Sequence, residues 1–184
     1  MRWMWIDRFL EFQRGKRAVA RKNVSMVEEE VDEYMPGYPY MPPPLIVEGL
    51  AQTAGLLVGE ISGFRDRVIL AKVAKSTFHK LALPGDTLTY TAVIDDIKRD
   101  GAFCSCTSHL GNELQAEVEI VFAMLDNRFP NPIFHPADFL SMIRAFGLYD
   151  VGVDEHGQPL QIPDHLQAAE REYMQQPLPE LFPR

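Results

Sequence analysis

The chain has 184 residues, 46% of them apolar and 24% charged, which is enough apolar material for one filled core with a short appended segment. A formal charge of -8, with no Lys/Arg-rich run interleaved with aromatics, sets the chain against nucleic-acid phosphate. The opening MRWMWIDRFLEFQRGK meets Asp7 and Arg8 before an apolar region of signal-peptide length develops, so a cytoplasmic protein is expected.

From Phe9 to Val24 the segments RFLEFQ and RAVARKNV flank a turn at Arg14 and Gly15 and predict a hairpin. Arg8, Arg14, Lys16, Arg17, Arg21 and Lys22 cluster there, either as a solvated strand face or as a docking strip for an acidic partner. A loop rich in Pro, Gly and Tyr is expected from about Val31. Leu45 to Ile61 then reads as a helix opened by the prolines at 42 to 44 and ended near Ser62 and Gly63. It is apolar nearly all round, which predicts a helix buried in the fold; it is too short and too polar to span a bilayer.

The next stretches, VILAKVAKSTF, DTLTYTAVIDDIK, AFCSCTSHL and ELQAEVEIVFAML, read as strands. Asp100-Gly101 and Gly111-Asn112 separate the last three, which predicts antiparallel hairpin neighbours. Alternation from Gln115 to Val121 calls for one packed and one wet face. Cys104 and Cys106 share a strand face and read as two packed thiols, too few for a metal site. Neither a metal nor another cofactor is expected. Beyond Asp126 the composition changes, so the chain divides into residues 1–126 and an extension, 127–184. In the extension, helices are predicted from Pro136 to Phe146, stopped by Gly147, and from Pro163 to Gln176. Phe139, Ile143 and Phe146 in the first, and Leu166, Ala169 and Tyr173 in the second, form stripes that must be covered. The sheet or a neighbouring subunit is the expected cover, with a ligand lid as the alternative.

The stretch YMPGYPYMPPPLIVEGLAQTAG, from Tyr34 to Gly55, holds one charge, Glu48. A carboxylate inside a buried helix costs several kcal/mol if ionised and unpaired, so it is paired, shifted in pKa or used in chemistry. Gln52 lies one turn on, with Gly55 and Gly59 further along the same stripe, as suits a groove that something approaches closely.

MPG-x-P-x-MP followed by LIVEGLAQTAG resembles the signature loop and helix of the beta-hydroxyacyl-acyl carrier protein dehydratases. The similarity covers much of the first 126 residues, including DRFLEF, GKRAVARKNVS and STFHKLALPGDTLTY. It implies an α+β hotdog fold, a long central helix wrapped by a curved antiparallel sheet, here with a partly helical C-terminal extension. It also implies a homodimer paired edge to edge, or a higher assembly such as a trimer of dimers, with active sites at the seam. By this resemblance the substrate is a 3-hydroxyacyl thioester on acyl carrier protein or coenzyme A. Glu48 falls on the family's helix carboxylate, which helps the 3-hydroxyl leave as water, and Gln52 falls on its companion.

Two positions depart from the family. Tyr34 stands where the family has its histidine, and no histidine precedes His79. A tyrosine of ordinary pKa, near 10, is almost wholly protonated at neutral pH and is a poor base. Pro43 stands where the family has a carbonyl-holding glycine, and proline has no N–H. The expected catalytic pair is Glu48 with Tyr34, and the expected substrate-binding residues are Gln52, Gly37, Tyr38 and Phe78. Three alternatives stand beside altered dehydration: complementing a second, histidine-bearing hotdog subunit, acting as a hotdog thioesterase, and binding acyl chains without turnover.

Overall fold

The computed structural model describes residues 3–35, 37–125 and 134–175. Strands β1 (Arg8–Gln13) and β2 (Arg17–Asn23) form the expected hairpin about Gly15, whose φ is 68°. A short helix α1 (Glu29–Glu33) stands where a loop is expected from Val31. Its one buried residue is Val31, so EEVDE carries almost no periodic apolar signal.

Helix α2 (Pro43–Glu60) starts two residues before the predicted Leu45, because Pro43 and Pro44 occupy its first turn, where the missing N–H costs nothing. It lies against a seven-stranded sheet in the order β3 (Arg67–Phe78), β6 (Glu113–Leu125), β5 (Gly101–Leu110), β4 (Thr87–Lys98), β2, β1 and β7 (Gly152–Val153). Every pairing is antiparallel except β1 with β7. Leu50, Ala54 and Leu57 of α2 meet Tyr90, Ala92, Cys104, Val118 and Ile120 of the sheet in one core. The β6 alternation is as expected, with Ala116, Val118, Ile120 and Phe122 inward. Cys104 and Cys106 are buried free thiols, and desolvation pushes the Cys104 pKa up to about 12.

The sequence between 134 and 175 joins this same body. Helix α3 (Pro136–Ala145) ends at Gly147, whose φ of 67° is the left-handed geometry that favours glycine. It is followed by α4 (Leu148–Val151), β7 and α5 (Asp164–Gln175). Gln176 and the Pro130 and Pro132 region lie outside the described residues. α3 packs on α5 and α4 on β1, and the extension's carbonyls serve the outer edge of β1: Phe9 N–H donates to Phe146 O (2.8 Å) and Arg14 N–H to Val153 O (2.9 Å). Ile143 and Phe146 are buried as the stripe requires, as is Leu166, whereas Tyr173 is exposed.

The early positive charges do not form a free strip. Lys22 is 3% exposed; its ammonium is bonded to Glu28 and to Asn23 O and sits 5.9 Å above the Trp5 ring. Arg17 is bonded to Glu11. Arg14 reaches inward to Glu60, the last residue of α2 and only 1% exposed, through Nε to Oε2 (2.7 Å) and Nη2 to Oε1 (2.5 Å). The fully buried carboxylate of the central helix is therefore Glu60, and it is satisfied by a bidentate cation. No helix among the described residues is long and apolar enough to cross a membrane.

Candidate active site

The triple-proline start of α2 shapes the mouth of the site. Met41 N–H donates to Ala82 O (2.8 Å), residues 42 to 44 have no N–H, and Leu45 and Ile46 both donate to Pro42 O (2.9 and 3.3 Å). A helix N-terminus normally presents free donors to an anion or a polarised carbonyl. Here every N–H from Met41 to Ile46 is absent or already used.

One turn in, Glu48 is half-buried. Gln52 Nε2 donates to Glu48 Oε1 (3.0 Å) and to Trp3 O (3.0 Å), while Gln52 Oε1 accepts the Trp5 N–H (2.8 Å). Gln52 thereby ties the carboxylate to the N-terminal segment and fixes its direction. Both face a groove of about 840 Å³ that runs along α2 past Gly55 and Gly59 to Phe64, Phe139 and His165. The polar-then-small stripe lines this groove, but its glycines are filled by neighbouring rings. A Cβ at Gly55 would lie 3.3 Å from Phe122, and one at Gly59 3.2 Å from Phe64. Glu48 itself is not enclosed: its half-buried side chain stands at the mouth of the groove.

The other predicted residues lie apart from Glu48. Tyr34 is 51% exposed and packs edge-on against Tyr40, their centroids 5.5 Å apart; Tyr38 flanks the same ring. Gly37, with φ 84°, is exposed in that turn. Met41 is buried in the core. Phe78 ends β3, paired with Ala116. Nothing among the described residues bonds Tyr34 to Glu48, and a single chain brings together only Glu48 and Gln52. His79 is taken up on the sheet surface by Glu117 (3.1 Å). No group of His, Cys, Asp and Glu among the described residues gathers as a metal site.

β3 is the sheet's outer strand beside this groove. It exposes Ile69, Leu70, Val73 and Phe78 together with Lys72 and Lys75, and its pairing with β6 shifts register between Leu70 and Lys72 and between Val73 and Lys75. Residues 2–119 match the FabA-like domain family. The chain belongs to that family. The 3-hydroxyacyl-[acyl-carrier-protein] dehydratase FabZ of Caldanaerobacter subterraneus is 35% identical over 125 residues, covering 67% of this chain and 89% of the relative. The FabZ of Symbiobacterium thermophilum is 34% identical over 131 residues, 71% of this chain and 92% of the relative. Among solved structures, the uncharacterized protein PH1136 from Pyrococcus horikoshii aligns with a TM-score of 0.56 at 16% identity, covering 68% of this chain and 88% of that one. A hypothetical thioesterase protein with coenzyme A from Streptococcus pneumoniae TIGR4 aligns with a TM-score of 0.53 at 11% identity, covering 64% and 84%. At these identities the structural likeness speaks for the fold, which is the hotdog fold.

Two features of the site lie beyond the region matched to the FabA-like family; the sequence offered the first only as the ligand-lid alternative and gave no sign of the second. The far wall of the groove is built by α3 and α5, and His165 faces into it. The imidazole Nδ1 is buried without a hydrogen-bond partner, and its pKa is lowered by desolvation and by the nearby Arg65. PDHLQ at a helix start carries no signal for this, because the contact depends on where α5 docks.

Proposed function

We propose that this protein binds a 3-hydroxyacyl thioester of fatty-acid metabolism, carried on acyl carrier protein or coenzyme A, with Glu48 as the acid at the 3-hydroxyl. The observation that carries the reading is the Glu48–Gln52 pair, held at the mouth of an apolar groove on the central helix. Membership of the FabA-like family and the FabZ relatives support it. In the elimination, a base removes the C2 proton, the electron pair forms the C2–C3 double bond, and the C3–O bond breaks. The departing hydroxyl takes a proton and leaves as water. A carboxyl aimed by Gln52 is placed to supply that proton, and the acyl tail would follow the groove away from it.

We assign the base to a second chain, because Tyr34 packs on Tyr40 and is not among the residues that line the groove with Glu48, whereas His165 lines the end of the groove formed by α5. We propose that the second chain docks along β3, whose edge lies beside the groove. A homodimer would bring the partner's Tyr34, the altered-dehydration reading. A histidine-bearing hotdog subunit would bring imidazole, and the occupied donors at the α2 start favour this second arrangement. A helix start whose N–H groups from Met41 to Ile46 are absent or already used gains most from a partner that brings both missing parts. The same lack weighs against a thioesterase. Residues 1–126 would then carry the chemistry in the cytoplasm, with 127–184 as an appended segment.

The test is formation of the 2-enoyl product from a 3-hydroxyacyl thioester, followed by absorbance, with purified chain alone and with co-purified partners. Glu48→Gln is expected to lower turnover by about a hundredfold to ten-thousandfold. Turnover by the chain alone that Glu48→Gln leaves unchanged overturns the assignment. Thioester binding without turnover in any combination leaves the non-catalytic binder as the function.

A further inference from the structure

We propose that residues 134–175 close the far end of the acyl groove and set the length of chain it admits, with His165 as the stop. This rests on the acyl-thioester reading above and adds a specificity that the region matched to the FabA-like family does not contain.

The groove is one continuous cavity from Glu48 to His165. Its near part is lined by the small and aliphatic residues of α2 and β3, among them Ala51, Gly55, Leu56 and Val68. Its far end is made by the extension, through Phe139 and Met142 of α3 and His165 of α5. The wall is anchored: Leu166 is buried beside His165, and Pro163 lies against the end of α2, within 3.5 Å of where a Gly63 Cβ would stand. Phe64 is held at φ 60°, an uncommon geometry for a bulky residue, and its ring packs against Phe139 with centroids 5.0 Å apart. Strain of this kind persists where surrounding packing fixes it, here at the closed end of the groove.

Polarity changes at that end. A saturated chain gains by covering apolar wall, but the His165 ring, its Nδ1 already withdrawn from water and unpartnered, offers a terminal methyl less apolar surface, and with Phe64 and Phe139 it lines the end that the chain would have to pass. The gain per carbon therefore ceases at His165. From Glu48 to Gly59 the helix rises about 16 Å at 1.5 Å per residue. An extended chain advances about 1.2 Å per bond, taking the 3.3–3.6 Å reach of a three-bond backbone unit. The groove thus holds roughly thirteen to fourteen bonds beyond C3, the carbon that Glu48 faces.

The experiment is calorimetric binding of a series of saturated acyl-coenzyme A thioesters, short to long, to the full chain, which requires no turnover. Affinity is expected to rise about fourfold per carbon and to level off at roughly sixteen to seventeen carbons. His165→Leu should move the break to longer chains, and Met142→Trp should move it to shorter ones. Each variant is first checked for an unchanged thermal transition, and either one alone decides. Binding that keeps rising past the break, or a break that neither folded variant moves, overturns the ruler while leaving the acyl-thioester reading intact. Absence of binding at every length overturns both.

Discussion

Replacing Arg14 by methionine isolates the one fully buried carboxylate of the central helix. The substitution keeps the length and apolar stem of the side chain and removes both donors to Glu60, at 2.7 and 2.5 Å. Removing one partner of a buried ion pair costs about 3–5 kcal/mol, chiefly because the remaining charge is left desolvated. Arg14 is itself 39% exposed, so water can partly replace it, and the lower end, about 3 kcal/mol, is expected. For a chain of this size that is a fall in Tm of about 6–12 °C. The double variant Arg14→Met/Glu60→Leu should recover most of the loss, since an apolar pair of similar volume is often neutral in such a place. Urea unfolding followed by circular dichroism measures both. A single variant within 0.5 kcal/mol of the parent on the scale of ordinary surface changes, or a double variant less stable than the single, refutes the reasoning. Because Glu60 lies about 18 Å along the helix from Glu48, the double variant should bind acyl thioesters as the parent does.

Gly49→Ala should destabilise the protein by about 1–3 kcal/mol in the same unfolding assay despite the better helix propensity of alanine. The new Cβ would sit 2.5 Å from the Tyr90 ring and 2.7 Å from Trp5 O, too close without backbone movement. Gln52→Leu should reduce turnover of any active assembly toward that of Glu48→Gln while leaving long-chain binding within a few-fold. It frees the Glu48 carboxylate and strands the Trp5 N–H, and a kcat-against-KM split reads the difference. Cys104 should resist iodoacetamide at pH 8 until the protein unfolds, because burial holds its pKa at about 12. The unfolded thiol ionises first, so this contribution to stability is complete below the unfolded pKa and fades as pH rises toward the folded one. His165 works in the opposite direction: its lowered pKa disfavours the imidazolium in the fold. Its contribution is present above the ordinary histidine pKa and lost as pH falls through the lowered one, a dependence that His165→Leu should remove.

The central helix and the hairpins of the sheet were legible because their signals are local. Three prolines open α2, Asp100-Gly101 and Gly111-Asn112 mark the turns, and alternation from Gln115 onward fixes the faces of β6. Glu48 and Gln52 were legible for the same reason, one helical turn apart on one chain segment. What escaped depended on distance. The partner of Glu60 lies 46 residues away, so neither member of that pair announces the other, and Arg14 reads from sequence as one more surface charge. Lys22 was hidden likewise, since alternation alone does not reveal that Glu28 waits beneath it. Two residues of β7 and the single apolar contact of α1 are too short for any period to show. The far wall of the groove required knowing how α3 and α5 pack, which no run of neighbouring residues encodes.

The short parallel strand β7 has an effect out of proportion to its two residues. With the carbonyls of Phe146 and Val153, it occupies hydrogen-bonding positions along β1, so one margin of the sheet is spoken for within the chain. Among the described residues the β3 margin is the one left without a strand beside it, and a second copy docking there would arrive with its own far side already closed. Strand-by-strand growth must halt after a single addition. The appendage proposed to narrow the choice of guest would thus also guard the molecule against polymerising into ribbons.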